Sequence, residues 1–477
     1  MTDLVPPAAP LPPDVLARLD DGLRDRCRAA RVPALSGAVG RAGEVVWSGT
    51  AGWAEADPGT AFRIGSITKP MTAVAVLRLV AAGRVGLHDP VGRHVDDAPA
   101  PEATLAQLLT HTAGLPAEPP GPWWERHGAG TWPELVASGV VPVTEPGEQH
   151  HYSNVGYAVL GRLVELAHGR PWDEVLRDEL WAPLGMTHTG RVPTSAAATG
   201  YAVHPHADAV LVEPVAGYGA MGPAGEVWST PRDLVAFGSW LVGAGRGSDG
   251  SDGSDGSDGS DPVLPLRWRR RMTAPRAVVD EPGAPFTTAW GLGVSVRHAT
   301  GPDGGRRTVG HGGSVPGFTA TLRADVATGD VVAVCGSSTA GFGGGDFLLD
   351  ALPAPVGPAS PAEPSPEALA LTGTWYWGPM PHTVTVRADG NLVLSPADGG
   401  DRGTVFAPRP GGGATGTGTT WVGVEGGYWR GERLRSVGAP GAPALDVGTF
   451  HLTRTPYDPA TAVPGGVDPS GWRPSGT

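Results

Sequence analysis

From Ala351 to Pro366 a proline recurs every few residues. No helix or ladder runs through such a stretch, because each ring fixes φ and removes a backbone N–H. The composition favours a stiff extended linker, so the chain on either side has to bury a core of its own. At 477 residues the chain also exceeds one ordinary core. The sequence therefore divides into a disordered N-terminus at 1–12, a large unit at 13–352, a linker at 353–366, a small unit at 367–457 and a disordered tail at 458–477.

Within the large unit, Val15, Leu16 and Leu23 recur near helical spacing between Pro13 and Arg31, which predicts an N-terminal helix. Ala34 to Arg41 and Glu44 to Ala51 are β-rich runs around Ala42-Gly43, a hairpin signal. Gly317 to Asp325 and Asp330 to Ser337 form a second such pair far downstream. Strands at both ends of a mainly helical middle predict an α+β unit, an antiparallel sheet flanked by helices with an inserted all-helical region. Gly247 to Asp261 is five Gly-Ser-Asp triplets with no apolar surface to bury, expected to be a flexible insertion inside this unit. It follows a helix opening at Ser229-Thr230-Pro231-Arg232-Asp233, where Thr230 can cap and Asp233 can bond back.

Beyond the linker the character is all-β. Gly373 to Trp377, His382 to Ala388, Leu392 to Ser395, Trp421 to Val424 and Leu445 to Thr453 read as strands, predicting a small barrel or sandwich. Trp375, Trp377, Trp421 and Trp429 read as its core.

With 35 basic and 48 acidic residues the formal charge is -13, which argues against nucleic acid or an anionic membrane as partner. The basic run Arg267 to Arg271 reads as a solvated helix face. Cys27 and Cys335, the only cysteines, define neither a disulfide framework nor a metal site and read as small apolar residues. The first residues show no basic and apolar leader pattern, and no long apolar run follows, so the expectation is a soluble, cytoplasmic protein. Adjacent His150 and His151 point to opposite faces of an extended segment, so no metal and no cofactor is expected.

The basic residues carry one anomaly: 34 are Arg, and Lys69 is the only lysine. Arg stays protonated, whereas a desolvated lysine amine can lose its proton, so a single retained lysine marks a position that needs a base. It stands in Gly65-Ser66-Ile67-Thr68-Lys69-Pro70, at the start of a helical pattern over Met71 to Ala82. Three residues apart on a helix, the Lys69 amine shares a face with the Ser66 hydroxyl and can accept its proton. Tyr152-Ser153-Asn154 follows, with one of only two asparagines in the chain. A tyrosinate near a lysine ammonium has a lowered pKa and can relay protons, and an Asn amide can hold both a substrate carbonyl and the lysine. The third element is His311-Gly312-Gly313-Ser314 at the late strand pair, whose glycines let a substrate backbone approach closely.

Ser-x-x-Lys, Tyr-x-Asn and His-Gly-Gly in this order resemble the three motifs of class C β-lactamases, D-aminopeptidases and related esterases of the penicillin-binding-protein type. Leu108 to Pro116 and Trp228 to Leu234 also look like family sequence, and the resemblance spans Val15 to Leu352. It implies a β-lactamase/transpeptidase-like fold with the site between sheet and helical region. It further implies that Ser66 attacks a carbonyl, Lys69 and Tyr152 share the base work, and Asn154 positions substrate. The amides of Ser66 and Ser314 would then form an oxyanion hole, with His311, Gly312 and Gly313 lining the substrate. The small β unit is similar to the lipocalin-like modules appended to some bacterial serine hydrolases.

His311 stands where β-lactamases usually carry Lys, so a fixed charge for a β-lactam carboxylate is missing at that position. The expected activity is therefore hydrolysis of small esters, amides or D-amino-acid peptides through an acyl-enzyme, with a β-lactamase or D,D-carboxypeptidase as alternative. A Ser-His-Asp triad lacks a Gly-x-Ser-x-Gly elbow to support it, and His111 reads as a structural residue bonding within its loop. A non-catalytic acylated sensor or binding protein is the reading from another class, against which the intact motifs stand. The partner expected is a small-molecule ester or peptide substrate; the oligomeric state is open.

Overall fold

The computed structural model describes residues 10–244, 261–280, 283, 287–299, 306–353, 363–387, 389–399, 402–409, 420–439 and 442–456. The expected disordered N-terminus up to residue 9, the triplet run up to residue 260, linker residues 354–362 and the tail at 458–477 lie outside these residues. The chain forms two compact units, Met1–Pro353 and Ala354–Thr477.

The large unit is built on an eight-stranded antiparallel sheet. Its order is Glu44–Gly52, Ala34–Arg41, Val331–Gly336, Phe318–Asp325, Arg306–Val315, Ser295–Ala299, Thr288–Trp290 and Ala277–Val278. Strands from the two ends of the unit pair as second and third in this order, with Ala38 opposite Ala333. The hairpin at Ala42-Gly43 closes with φ of 51° and 86°, the left-handed pair that suits the twist of a two-residue turn. One face of the sheet packs on the helix Pro13–Ala30, through Leu19, Leu23, Leu35, Val332 and Leu348. Val15, Leu19, Leu23 and Cys27 make its buried stripe, so the helical period runs through Leu19, and Leu16 stands at the edge.

The other face carries the helix Pro231–Val242 and the helical region between the strand pairs. In that region the helix Thr68–Ala81 is buried on nearly every side, as its run of Met71, Val74, Ala75, Val76 and Leu77 requires. The Thr230 hydroxyl accepts the Asp233 N–H as expected, and a hydrogen bond with the Thr230 side chain stabilises the Asp233 carboxylate in return. It also accepts from the His188 N–H and the Thr189 hydroxyl, each at 2.8 Å, fastening a neighbouring loop to the helix.

The basic run is also more than a solvated face. Arg269, on the helix Leu266–Met272, is 1% exposed and pairs with Asp261 at 3.1 Å while lying over the Trp240 ring. Asp261, the last residue of the triplet run, is therefore an anchored residue and not part of a loose loop. Cys27 and Cys335 are buried free thiols.

The small unit is a closed barrel of eight antiparallel strands capped by the helix Pro366–Leu371. Trp375, Trp421 and Trp429 fill its core with Phe406 and Leu445, whereas Trp377 is 40% exposed. Two strands, Thr404–Arg409 and Arg433–Ala439, are additional to the sequence reading, and Leu445 to Thr453 is two strands. The latter run breaks at Gly448, whose φ of 61° makes the turn between Ala442–Val447 and Phe450–Thr453. Among the described residues no helix is long and apolar enough to cross a membrane.

Candidate active site

The short strand Phe62–Arg63 leads through a single tight turn, Gly65–Ile67, into the helix Thr68–Ala81. Gly65 adopts φ +52°, and a Cβ there would lie 2.8 Å from the Ser314 amide nitrogen. The turn thus sits backbone to backbone against the strand Arg306–Val315. Gly313 makes the reciprocal contact, since a Cβ on it would lie 1.9 Å from the Ile64 carbonyl and 3.2 Å from the Ser66 amide nitrogen. Thr68 locks the turn by donating to the Gly65 carbonyl at 2.8 Å and accepting the Val227 N–H at 3.2 Å.

The first helical turn puts Lys69 over Ser66, with Nζ donating to Oγ at 2.9 Å. Nζ also donates to Asn154 Oδ1 at 2.6 Å and to the Ala224 carbonyl at 2.7 Å. Burial of this amine pulls its pKa down to about 7, against the pull of Glu118 and Glu125 in the other direction. An ammonium has three protons for three acceptors, whereas a neutral amine has two. On deprotonation the carbonyl oxygens of Asn154 and Ala224 keep those two, and the lone pair is left facing the serine hydroxyl.

Tyr152 and Asn154 are set by the loop after the helix Leu105–Leu109. His111, at φ +58°, accepts the Ser153 N–H on Nδ1 at 3.0 Å, and its carbonyl accepts the His151 N–H at 2.7 Å. The Pro116 carbonyl takes the Ser153 hydroxyl at 2.7 Å and the Ala117 carbonyl takes the Asn154 N–H at 2.8 Å. The His111 ring stacks on Tyr152 at 4.3 Å, and burial holds its pKa well below the usual imidazole value, so it is a neutral structural group. The expected lowering of the Tyr152 pKa is overturned. Burial drives it up, outweighing a hydrogen bond to Ser66, so at neutral pH the group is a phenol and not a tyrosinate.

His311 is buried between Tyr152 and Trp290, with Nδ1 against the Gly312 carbonyl. Burial, then the charge of Lys69, pulls its pKa down to about 3. It is an uncharged imidazole throughout the physiological range.

Ser66, Tyr152, Asn154, His311, Gly312, Gly313 and Ser314 line one cleft of about 740 Å³, and Lys69 lies buried behind Ser66. Several other lining residues carry no sequence signal. Glu118 accepts from Asn154 Nδ2 at 2.7 Å and from Trp124 Nε1 at 2.5 Å. Glu125 is held by Trp123 Nε1 at 2.9 Å, and burial raises its pKa. Both sit in a Pro- and Trp-rich loop, and the dense Pro122-Trp123-Trp124-Glu125 cluster is the one pattern that could have marked it. Arg297 and Arg323 line the sheet side.

A serine hydroxyl bonded to a desolvated lysine, at the meeting of a helix start and a sheet edge, is the arrangement of serine acyl-transfer proteins with a Ser-x-x-Lys pair. The chain belongs to the Beta-lactamase family, whose model matches residues 18–352. Residues 364–454 match a domain of unknown function, DUF7586. Esterase EstB of Burkholderia gladioli is 34% identical over 208 residues, 37% of this chain and 51% of that protein. Penicillin-binding protein 4 of Amycolatopsis lactamdurans is 29% identical over 341 residues, 66% of this chain and 84% of that protein. The chain thus spans about half the length of the esterase and most of the penicillin-binding protein. Among solved structures, the D-amino acid amidase from Ochrobactrum anthropi SV3 complexed with L-phenylalanine amide superposes with a TM-score of 0.58 at 26% identity. That match covers 71% of this chain and 98% of the amidase.

Proposed function

We propose that this chain is a serine hydrolase acting through an acyl-enzyme on Ser66, and that its substrates are small esters and amides whose acyl residue carries a free amine. The carrying observation is the 2.9 Å contact between Ser66 Oγ and a lysine amine that burial holds near neutrality. Neutral Lys69 accepts the hydroxyl proton as Oγ bonds to the substrate carbonyl carbon. The amides of Ser66 and Ser314, adjacent at the contact of Gly65 with Gly313, polarise the oxyanion. As the C–O or C–N bond breaks, the leaving group receives the proton from Lys69 through the Tyr152 phenol. Water then repeats the sequence on the ester of Ser66, releasing the acid and restoring the hydroxyl.

Glu118 supports the amine-bearing acyl group. Its carboxylate lines the cleft beside Asn154, with Glu125 near it, and a substrate ammonium there would meet opposite charge. The names of the esterase and D-amino acid amidase relatives are in keeping with such substrates. The neutral state of His311 speaks against an efficient β-lactamase.

The test exposes wild type and Ser66→Ala to a fluorophosphonate probe, then to p-nitrophenyl esters, D-amino acid amides and nitrocefin. Labelling and ester cleavage that depend on Ser66, with little nitrocefin turnover, are expected. Equal labelling of the alanine variant would end the assignment, and nitrocefin turnover as fast as the esters would favour the β-lactamase alternative.

A further inference from the structure

A second cavity in the large unit, of about 530 Å³, shares no lining residue with the catalytic cleft. Its floor is the two-stranded ladder of Phe62–Arg63 on Trp228–Ser229, in which Arg63 stands opposite Trp228 and both line the cavity. Val192, Val212 and Val215, each more than half exposed, line its solvent side. Arg63 is 2% exposed. Its guanidinium lies over the Tyr218 ring at 4.0 Å, where it can donate to the neutral Tyr218 hydroxyl. Its Nε is buried without a partner, and among the described residues Arg63 forms no ion pair.

Two carboxylates also line the cavity, and each is matched by another arginine. Glu226 accepts from Arg191 Nε at 3.0 Å, and Glu213 accepts from Arg126 Nη2 at 2.7 Å. Glu125, on the catalytic cleft, feels the charge of Arg63 but does not pair with it. One buried cation is therefore left over, at the bottom of a cavity whose outer wall is aliphatic.

Both halves are unfavourable in the empty protein. A buried guanidinium with an unmade hydrogen bond is costly, and exposed valines gathered on one wall keep apolar surface in water. A ligand with a carboxylate head and an aliphatic chain relieves both at once, since the carboxylate matches the planar fork of an arginine and the chain covers the valines. We propose that this cavity binds a small aliphatic carboxylate, an anion of the fatty-acid kind, with its head on Arg63 and its chain against Val192, Val212 and Val215. The head carries a single charge. With one cation left over and two acidic neighbours, a phosphate dianion meets more repulsion than a carboxylate does. The cavity has the size of an ordinary small-molecule site, apolar over most of its wall with a few polar groups converging at one end. This site is independent of the chemistry at Ser66.

The test titrates the full-length protein calorimetrically at neutral pH with octanoate and with octanamide, which has the same chain and no charge. Octanoate is expected to bind at least tenfold more tightly, and Arg63→Gln should bring that ratio below threefold. Arg63 is buried close to the catalytic turn, so Val212→Glu decides the matter should Arg63→Gln melt early by circular dichroism. Val212 is exposed and lies off the catalytic cleft. Its variant should weaken octanoate at least tenfold, with melting temperature and ester cleavage unchanged. Equal binding of acid and amide, no binding at millimolar octanoate, or an affinity that survives Val212→Glu would each overturn the site, the last by placing octanoate elsewhere. Inorganic phosphate that displaces octanoate at equal concentration would overturn it too, because the aliphatic wall would then contribute nothing.

Discussion

Lys69 holds its amine at a point where both protonation states are useful, since about 7 is close to the pH of most cytosols and buffers alike. On the proposed mechanism the base form acts, so kcat/KM for a p-nitrophenyl ester should fall about tenfold per pH unit below 7 and level off above it. A pH profile whose acid limb is centred below 5 would remove Lys69 from this role. Lys69→Arg keeps charge but cannot lose it, and should lower ester turnover by roughly a thousandfold or more, measured as kcat at pH 8. Glu118→Gln should raise KM for D-amino acid amides more than for uncharged esters, read from the two steady-state curves. At this scale the sequence was most legible where rarity coincided with chemistry, as in a lone lysine three residues from a serine. It was silent on Glu118, Arg297 and Arg323, because abundant residue types in a loop or on a strand give no pattern until folding brings them to one cleft.

Elements matter here through their contact lines. The turn Gly65–Ile67 and the strand Arg306–Val315 meet at backbone distance, and only a residue without a side chain fits at Gly313. Gly313→Ala would drive Cβ into the Ile64 carbonyl, so the strand has to move away from Ser66. The variant is expected to lose fluorophosphonate labelling by at least tenfold and to melt several degrees lower, with a cost of about 1–3 kcal/mol. Labelling at the wild-type rate would show that this contact is not needed. The strand pairs at 34–52 and 318–336 could be read beforehand because β-branched runs flank turn residues at both places. The second tie of Asp233, to a loop 45 residues earlier, could not, since it is made by tertiary packing. The same holds for the strands Thr404–Arg409 and Arg433–Ala439, in which Pro408, Arg433 and Arg435 disguise the strand pattern and pairing on both sides within the closed barrel supplies the stability.

At the scale of the molecule, the two units have separate hydrophobic cores. Trp375 fills the barrel, donates Nε1 to the Leu371 carbonyl at 2.7 Å and lies under Arg454 at 3.8 Å. Trp375→Ala should cost about 3–5 kcal/mol, lowering a calorimetric transition that belongs to the barrel while Ser66 labelling in the cold persists. A parallel fall in labelling would show that the units depend on each other. The prolines at 353–366 pointed to a division of the chain, but the number of barrel strands was not legible, because a glycine turn such as Gly448 leaves no trace in a hydrophobic count.

The Asp261 clasp on Arg269 and Trp240 has a consequence for how this gene can change. Repeats of a short unit gain and lose copies during replication, and a tract of Gly-Ser-Asp is such a unit in protein form. Since the residue that seals the tract to the body is the last of its own period, any whole number of added or deleted triplets still ends in an aspartate at the clasp. Doubling the length of a flexible tract costs only about 0.6 kcal/mol in closure entropy, so on the expectation drawn from its composition natural relatives that differ in tract length should differ little in melting temperature.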